Sequence, residues 1–143
     1  MPSARGTLAW SPAADRTDLL AAPVASALTQ VPGTLVAPID PDVADTAAFC
    51  AAYDVAEAAS ANCVVVAGRR GEVTTYAAVM VLATDRADVN GVVRRHLGAR
   101  KISFAPMPDA VGLTGMEFGG ITPVGLPDGW PVLVDEAVVA AGE

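Results

Sequence analysis

The stretch Asn62-Cys63-Val64-Val65-Val66-Ala67-Gly68-Arg69-Arg70-Gly71-Glu72-Val73-Thr74-Thr75-Tyr76-Ala77-Ala78-Val79-Met80-Val81-Leu82-Ala83 decides the fold. Its two apolar runs, residues 62–67 and 73–83, are rich in valine. β-Branched side chains pack well on a pleated backbone and lose rotamer freedom in a helix. Gly68-Arg69-Arg70-Gly71 reads as a turn, so the runs pair as an antiparallel hairpin with two arginines at its tip. Both runs are almost continuously apolar rather than alternating, which implies a sheet covered on both faces.

Upstream, Glu57 to Ala61 is an alanine-rich connection, and residues 42–53 read as a helix. Asp42 and Asp45 sit in its first turn, where carboxylates meet the positive end of the helix dipole. Thr34 to Ile39 is a short strand. Val24, Ala27, Leu28 and Val31 mark one helical face behind Pro23, and Pro32-Gly33 ends it. Residues 1–17 form an irregular arm carrying Trp10, and residues 18–143 form one domain. Downstream, Asp85 or Asp88 caps a helix bearing Val89, Val92, Val93 and Leu97, closed by Gly98. A strand at Ile102–Ala105 and a helical turn from Pro106 to Leu113 follow. A loop with Gly115, Gly119, Gly120, Gly125 and Gly129 leads to a strand at Pro131–Asp135 and a Val/Ala-rich tail. Helices and strands in this order predict the α+β class: a single domain with a mixed, curved sheet and packed helices.

The chain has 143 residues, 52% of them hydrophobic and 17% charged, enough apolar material for a core and too much for a disordered chain. Nine basic against 16 acidic residues give a net charge of −7, which disfavours general nucleic-acid binding and leaves a local basic patch as the only route to phosphate. No apolar run approaches the ~18–20 residues that cross a bilayer, so no membrane partner is expected. The start, Met1-Pro2-Ser3-Ala4-Arg5, lacks the apolar core of a secretory signal. Cys50 and Cys63 have no metal-ligand spacing and His96 is the single histidine, so no metal and no cofactor are expected. Reduced thiols fit a cytoplasmic protein.

Three features could carry chemistry. The densest is Thr114-Gly115-Met116-Glu117-Phe118-Gly119-Gly120-Ile121-Thr122-Pro123-Val124-Gly125. Glycines at this density either build an irregular hairpin or let backbone N–H groups converge on an oxyanion. Asn62 opens an apolar strand, and its amide must bond to backbone or to a ligand. Arg69 and Arg70 are either solvated or contact phosphate. His96, beside Arg94 and Arg95, reads as a surface or packing residue.

Ser60-Ala61-Asn62-Cys63-Val64-Val65-Val66, followed by Thr114-Gly115, Gly119-Gly120-Ile121-Thr122-Pro123-Val124-Gly125, resembles the YbaK/ProX family of aminoacyl-tRNA deacylases. These are related to the editing domain of bacterial prolyl-tRNA synthetases. Asp45-Thr46-Ala47-Ala48, Gly98-Ala99-Arg100-Lys101 and Val132-Leu133-Val134-Asp135 also fit, over about residues 20–139. The resemblance implies a partly barrel-like sheet and metal-free hydrolysis of the ester of mischarged tRNA. Gly119 and Pro123 match the ends of the family's Gly-x-x-x-Pro motif. By the same likeness Asn62, Gly119 and Gly120 are catalytic, and Thr114, Gly115, Ile121, Thr122 and Pro123 bind substrate. Asn62 stands where many members carry a lysine. Arg69, Arg70 and Lys101 are the tRNA-contact candidates. Two other readings stay open: a degenerate editing domain that binds an aminoacyl or nucleotide end without hydrolysis, and an interaction protein that forms a homodimer through its tail.

Overall fold

The computed structural model describes residues 2–142. Its strands and α-helices run β1 (Ser11–Pro12), α1 (Ala22–Ala27), β2 (Leu35–Val36), α2 (Thr46–Tyr53), β3 (Ala61–Arg70), β4 (Val73–Leu82), α3 (Arg94–Leu97), β5 (Lys101–Phe104), α4 (Met107–Thr114), β6 (Val132–Val134) and α5 (Glu136–Ala140). The valine-rich runs form the hairpin β3–β4, antiparallel from Ala61↔Leu82 to Arg70↔Val73. Its loop is Gly71-Glu72 alone, so Gly68, Arg69 and Arg70 belong to the strand and not to the turn. The reason is tertiary. β5 pairs with β3 as far as Arg69↔Lys101, and the Arg69 carbonyl accepts the Arg100 N–H at 2.8 Å. Gly68 serves close approach, since a Cβ there would stand 3.0 Å from the Ala99 Cβ. Gly71 takes φ +63° as the first of two loop residues, the position a II′ hairpin turn reserves for glycine.

The main sheet is ordered β5-β3-β4-β6, with β6 parallel to β4 and the other pairs antiparallel. It is therefore mixed, as expected, but open. β5 and β6 are its two edges and do not pair among the described residues, so the sheet is not closed and the expected partial barrel is not confirmed. β1 and β2 form a separate two-stranded ribbon. Val66, Ala77, Val79, Val81 and Val93 make one buried cluster, with Val89, Leu97, Ile102 and Leu133 packed on it. Val65 and Ala78, which point the other way in the pleat, are also buried, so both sheet faces are covered.

Several boundaries move. The helix expected over residues 42–53 divides into a 3₁₀ turn at Pro41–Val43, whose N-cap Asp40 accepts from Asp42 N–H, and α2 with Asp45 as N-cap. Each carboxylate captures backbone N–H groups just after it, so two short caps replace one continuous start. Asp88, not Asp85, caps the later helix, accepting from Gly91 N–H at 3.0 Å and Val92 N–H at 3.2 Å. That helix opens with a π-helical turn at Val89–Val93. The strand expected at Thr34–Ile39 shrinks to Leu35–Val36. The N-terminal arm is tied to the end of α2 through Ser3 N–H to Asp54 O and Thr7 N–H to Tyr53 O. Trp10 donates to the Arg5 carbonyl within the arm.

Candidate functional site

β3 is longer than β5. Its first half therefore has β4 on one side and no strand on the other among the described residues. Ala83 N–H donates to Ser60 O, which sets the ladder so that Ala61 and Cys63 turn their peptide groups away from β4. A cavity of about 660 Å³ lies along this edge. The N-terminus of α2 (Asp45, Thr46), the β5–α4 junction (Phe104, Ala105, Met107) and the loop residues Phe118, Gly119 and Ile121 complete its walls.

The walls are largely apolar, and the polar groups are few. Thr46 Oγ1 donates to Asn62 Oδ1 at 2.7 Å. With its oxygen so engaged, the Asn62 amide has its N–H donors left to offer. Cys63 is the one nucleophile-type thiol on the wall, and burial pushes its pKa up to about 11. It is a neutral thiol at physiological pH and a poor nucleophile. Phe104 and Phe118 line the cavity yet are 64% and 67% exposed, so each offers a ring at the mouth.

Of the residues singled out in the glycine segment, Gly119 and Ile121 line the cavity with Asn62. Gly119 holds φ +86°, and a Cβ there would stand 3.3 Å from the Ala44 Cβ, so the loop touches the approach to α2 through a position that only glycine fills without strain. The other candidates are engaged elsewhere. Gly120 N–H donates to Glu117 O at 2.9 Å. Thr114 is buried; its hydroxyl donates to Ala110 O and accepts from Met116 N–H. Gly115 is the left-handed C-cap of α4. Thr122 bonds both ways with Val124, and its N–H reaches the Met116 sulfur. Thr114, Gly115, Gly120, Thr122 and Pro123 thus lie outside the cavity wall. Asp45, Thr46, Phe104 and Phe118 were not foreseen as site residues. The one sequence signal was the Asp45-Thr46 pair at a helix start.

A second concavity of about 480 Å³ lies at the other end of β3, lined by Arg69, Gly71, Arg100 and Lys101. Arg69 and Lys101 are direct cross-strand partners and share one face. Arg70 faces away, and its guanidinium donates to Gly98 O at 3.2 Å. Of the tRNA-contact candidates, Arg69 and Lys101 come together, Arg70 does not, and Arg100 joins them.

Fold and cavity define a small α+β protein with a mostly apolar pocket at a strand edge, carrying a single carboxylate on its wall, and a cationic groove further along β3. The chain belongs to the aminoacyl-tRNA editing domain family, whose model matches residues 40–142. Among solved structures it is similar to a candidate trans-editing enzyme for prolyl-tRNA synthetase, at 22% identity and TM-score 0.66, covering 91% of this chain and 76% of that one. It is also similar to the hypothetical protein APE2540, at 24% identity and TM-score 0.59, covering 68% of this chain and 61% of that one. A third is a scaffold from computational grafting of epitope backbones, at 22% identity and TM-score 0.67, covering 84% of this chain and 74% of that one. At these identities the solved structures speak for the fold. No curated protein matches the chain. No helix among the described residues is long and apolar enough to cross a membrane.

Proposed function

We propose that the chain is a trans-editing deacylase of the YbaK/ProX type, which hydrolyses the aminoacyl ester of mischarged tRNA in the cytoplasm. The observation that carries this reading is the convergence of Asn62 and Gly119, far apart in sequence, on one cavity in a chain of the editing family. An aminoacyl ester is already activated, so positioning and a few oxyanion donors suffice. The Asn62 amide and the Gly119 N–H are those donors. Water is the nucleophile in this reading, and the Cys63 thiol, pushed up to about 11 by burial, stays protonated and does not compete with it. Pro123, Gly120, Thr122, Thr114 and Gly115 act one step back, holding the loop that presents Gly119.

Val64, Val65, Ala110 and Ile121 form an apolar wall suited to a small aliphatic side chain. One methylene is worth only ~1–3 kcal/mol in such a pocket, the margin that editing exists to correct. Phe104 and Phe118 are placed to stack on the terminal bases of the acceptor end. Arg69, Arg100 and Lys101 take backbone phosphates further along the tRNA. From Asn62 to Arg69 is seven residues of strand, about 23 Å at the usual rise per residue.

The test is hydrolysis of an aminoacyl ester by the wild-type chain and by Asn62→Ala and Gly119→Ala. Each variant loses about 10²-fold in turnover, the scale of one oxyanion donor. Unchanged rates in both would remove the site.

The degenerate-domain reading has its own support. By the resemblance Asn62 stands where many members carry a lysine, and Gly120 N–H is already bonded to Glu117 O. A wild-type chain that binds an aminoacyl-adenosine analogue but hydrolyses no ester would establish it.

A further inference from the structure

Among the residues lining the cavity, one side chain carries a formal charge, the carboxylate of Asp45. It is held at the start of α2, where Oδ2 accepts from Ala48 N–H at 3.4 Å. Its other oxygen has no partner among the described residues, and the residue is exposed. The rest of the wall is neutral, and much of it is aliphatic or aromatic.

An aminoacyl ester differs from other acyl esters in one respect that matters here. The carbon next to its carbonyl bears a primary amine, which is largely a cation at neutral pH. Moving that cation against an apolar wall without a partner is costly. A single carboxylate on the wall offsets the cost and leaves no second cation site to compete for it. We infer that Asp45 is a specificity-determining residue that accepts the α-ammonium group of the substrate, so that the cavity selects esters of free amino acids over N-acylated ones. The inference rests on the proposed deacylase reading for its substrate, but it concerns recognition and not the hydrolytic step. A carboxylate in this place could instead draw a proton from the attacking water. The two roles separate experimentally, because an ammonium partner serves only free-amine ligands, whereas a base serves every ester.

The experiment uses the full chain and two matched pairs of ligands. One pair is an aminoacyl-tRNA and its N-acetylated counterpart. The other is a non-hydrolysable amide, 3′-aminoacylamino-adenosine, with its amine free or acetylated. Wild type binds the free-amine amide about three- to tenfold more tightly than the acetylated one, the scale of one partly exposed ion pair with its hydrogen bond. Asp45→Asn removes that preference in binding and slows the free-amine ester by the same factor, leaving the acetylated ester unchanged. Asparagine caps a helix as well as aspartate does, so α2 is preserved. Asp45→Ser, a second cap-competent variant, gives the same result should Asp45→Asn fail to fold. Equal binding of the two amides by wild type, an unaltered preference in the variants, or equal slowing of both esters would each overturn the inference. If the amides show the preference and no ester is hydrolysed, the deacylase reading falls and the role of Asp45 stands.

Discussion

Thr46 Oγ1 and Asn62 Oδ1, 2.7 Å apart, set which end of the amide is left to the cavity. Asparagine's two ends are alike in shape and opposite in hydrogen bonding, so only a fixed partner makes the residue a defined donor. Thr46→Val removes the hydroxyl at nearly constant volume. Turnover of an aminoacyl ester then falls about three- to tenfold, the worth of one hydrogen bond, with KM little changed, and Thr46→Ser restores it. Unaltered turnover in Thr46→Val would mean that the amide orientation is irrelevant. Cys63 makes the opposite case. Its thiol is raised from 9.0 to about 11 by burial, so Cys63→Ala keeps ester turnover within a few-fold. The same shift has a sign for stability. Well below pH 9 the thiol is protonated in both states, so its shift does not make stability depend on pH there. As pH climbs toward 11 the unfolded chain releases the proton first, and the folded state loses stability relative to it. Urea unfolding from pH 7 to 10.5 checks this: wild type declines more steeply than Cys63→Ala, and parallel curves would contradict it.

The Asp88 carboxylate accepts from two N–H groups at the head of the π-helical turn that leads into α3. Asp88→Ala leaves both donors without that partner and costs about 1–2 kcal/mol in chemical unfolding; a loss below about 0.3 kcal/mol would show the cap to be idle. At the cavity, Gly119→Ala meets both a strained φ of +86° and the Ala44 side chain, and it acts on turnover more than on stability because the loop can shift away from the pocket. The hairpin was legible in the sequence because valine runs and a glycine turn are local signals. The turn's exact place was not, since the reach of β3 through Arg70 depends on pairing with Val73 and, up to Arg69, with β5. The open sheet and the parallel seating of β6 beside β4 are likewise tertiary facts with no local mark. The site follows the same division. Asn62 and Gly119 stood out as a lone amide and a conformationally free backbone. Asp45, Thr46, Phe104 and Phe118 are ordinary residues in their own segments and become a site only where α2, β5 and the loop meet β3. Gly120 and Thr114 looked equally promising, but local hydrogen bonds engage them.

The molecule as a whole carries a net charge of −7 and sets three cations, Arg69, Arg100 and Lys101, without an ion-pair partner among the described residues, around one groove. Its long-range field repels tRNA, so in the proposed reading a productive encounter relies on that groove. Three phosphate contacts, as proposed for these cations, would give a shallow salt dependence, a slope of about 2–3 in log K against log salt. Replacing all three cations with alanine raises KM for aminoacyl-tRNA and flattens the slope, while hydrolysis of a small aminoacyl ester is unchanged because none of the three lines the cavity and Asn62 lies about 23 Å from Arg69 along β3. Joint loss of both activities would make the groove structural. The central claim, that cavity and groove together edit tRNA, is tested most directly by incubating the purified chain with a panel of correctly charged and mischarged tRNAs and following release of the amino acid. The account predicts rapid release of a small aliphatic amino acid from its mischarged tRNA, slow release from correctly charged tRNAs with larger residues, and loss of release in Asn62→Ala. Release from none of the panel, or release that survives Asn62→Ala and Gly119→Ala undiminished, would contradict it.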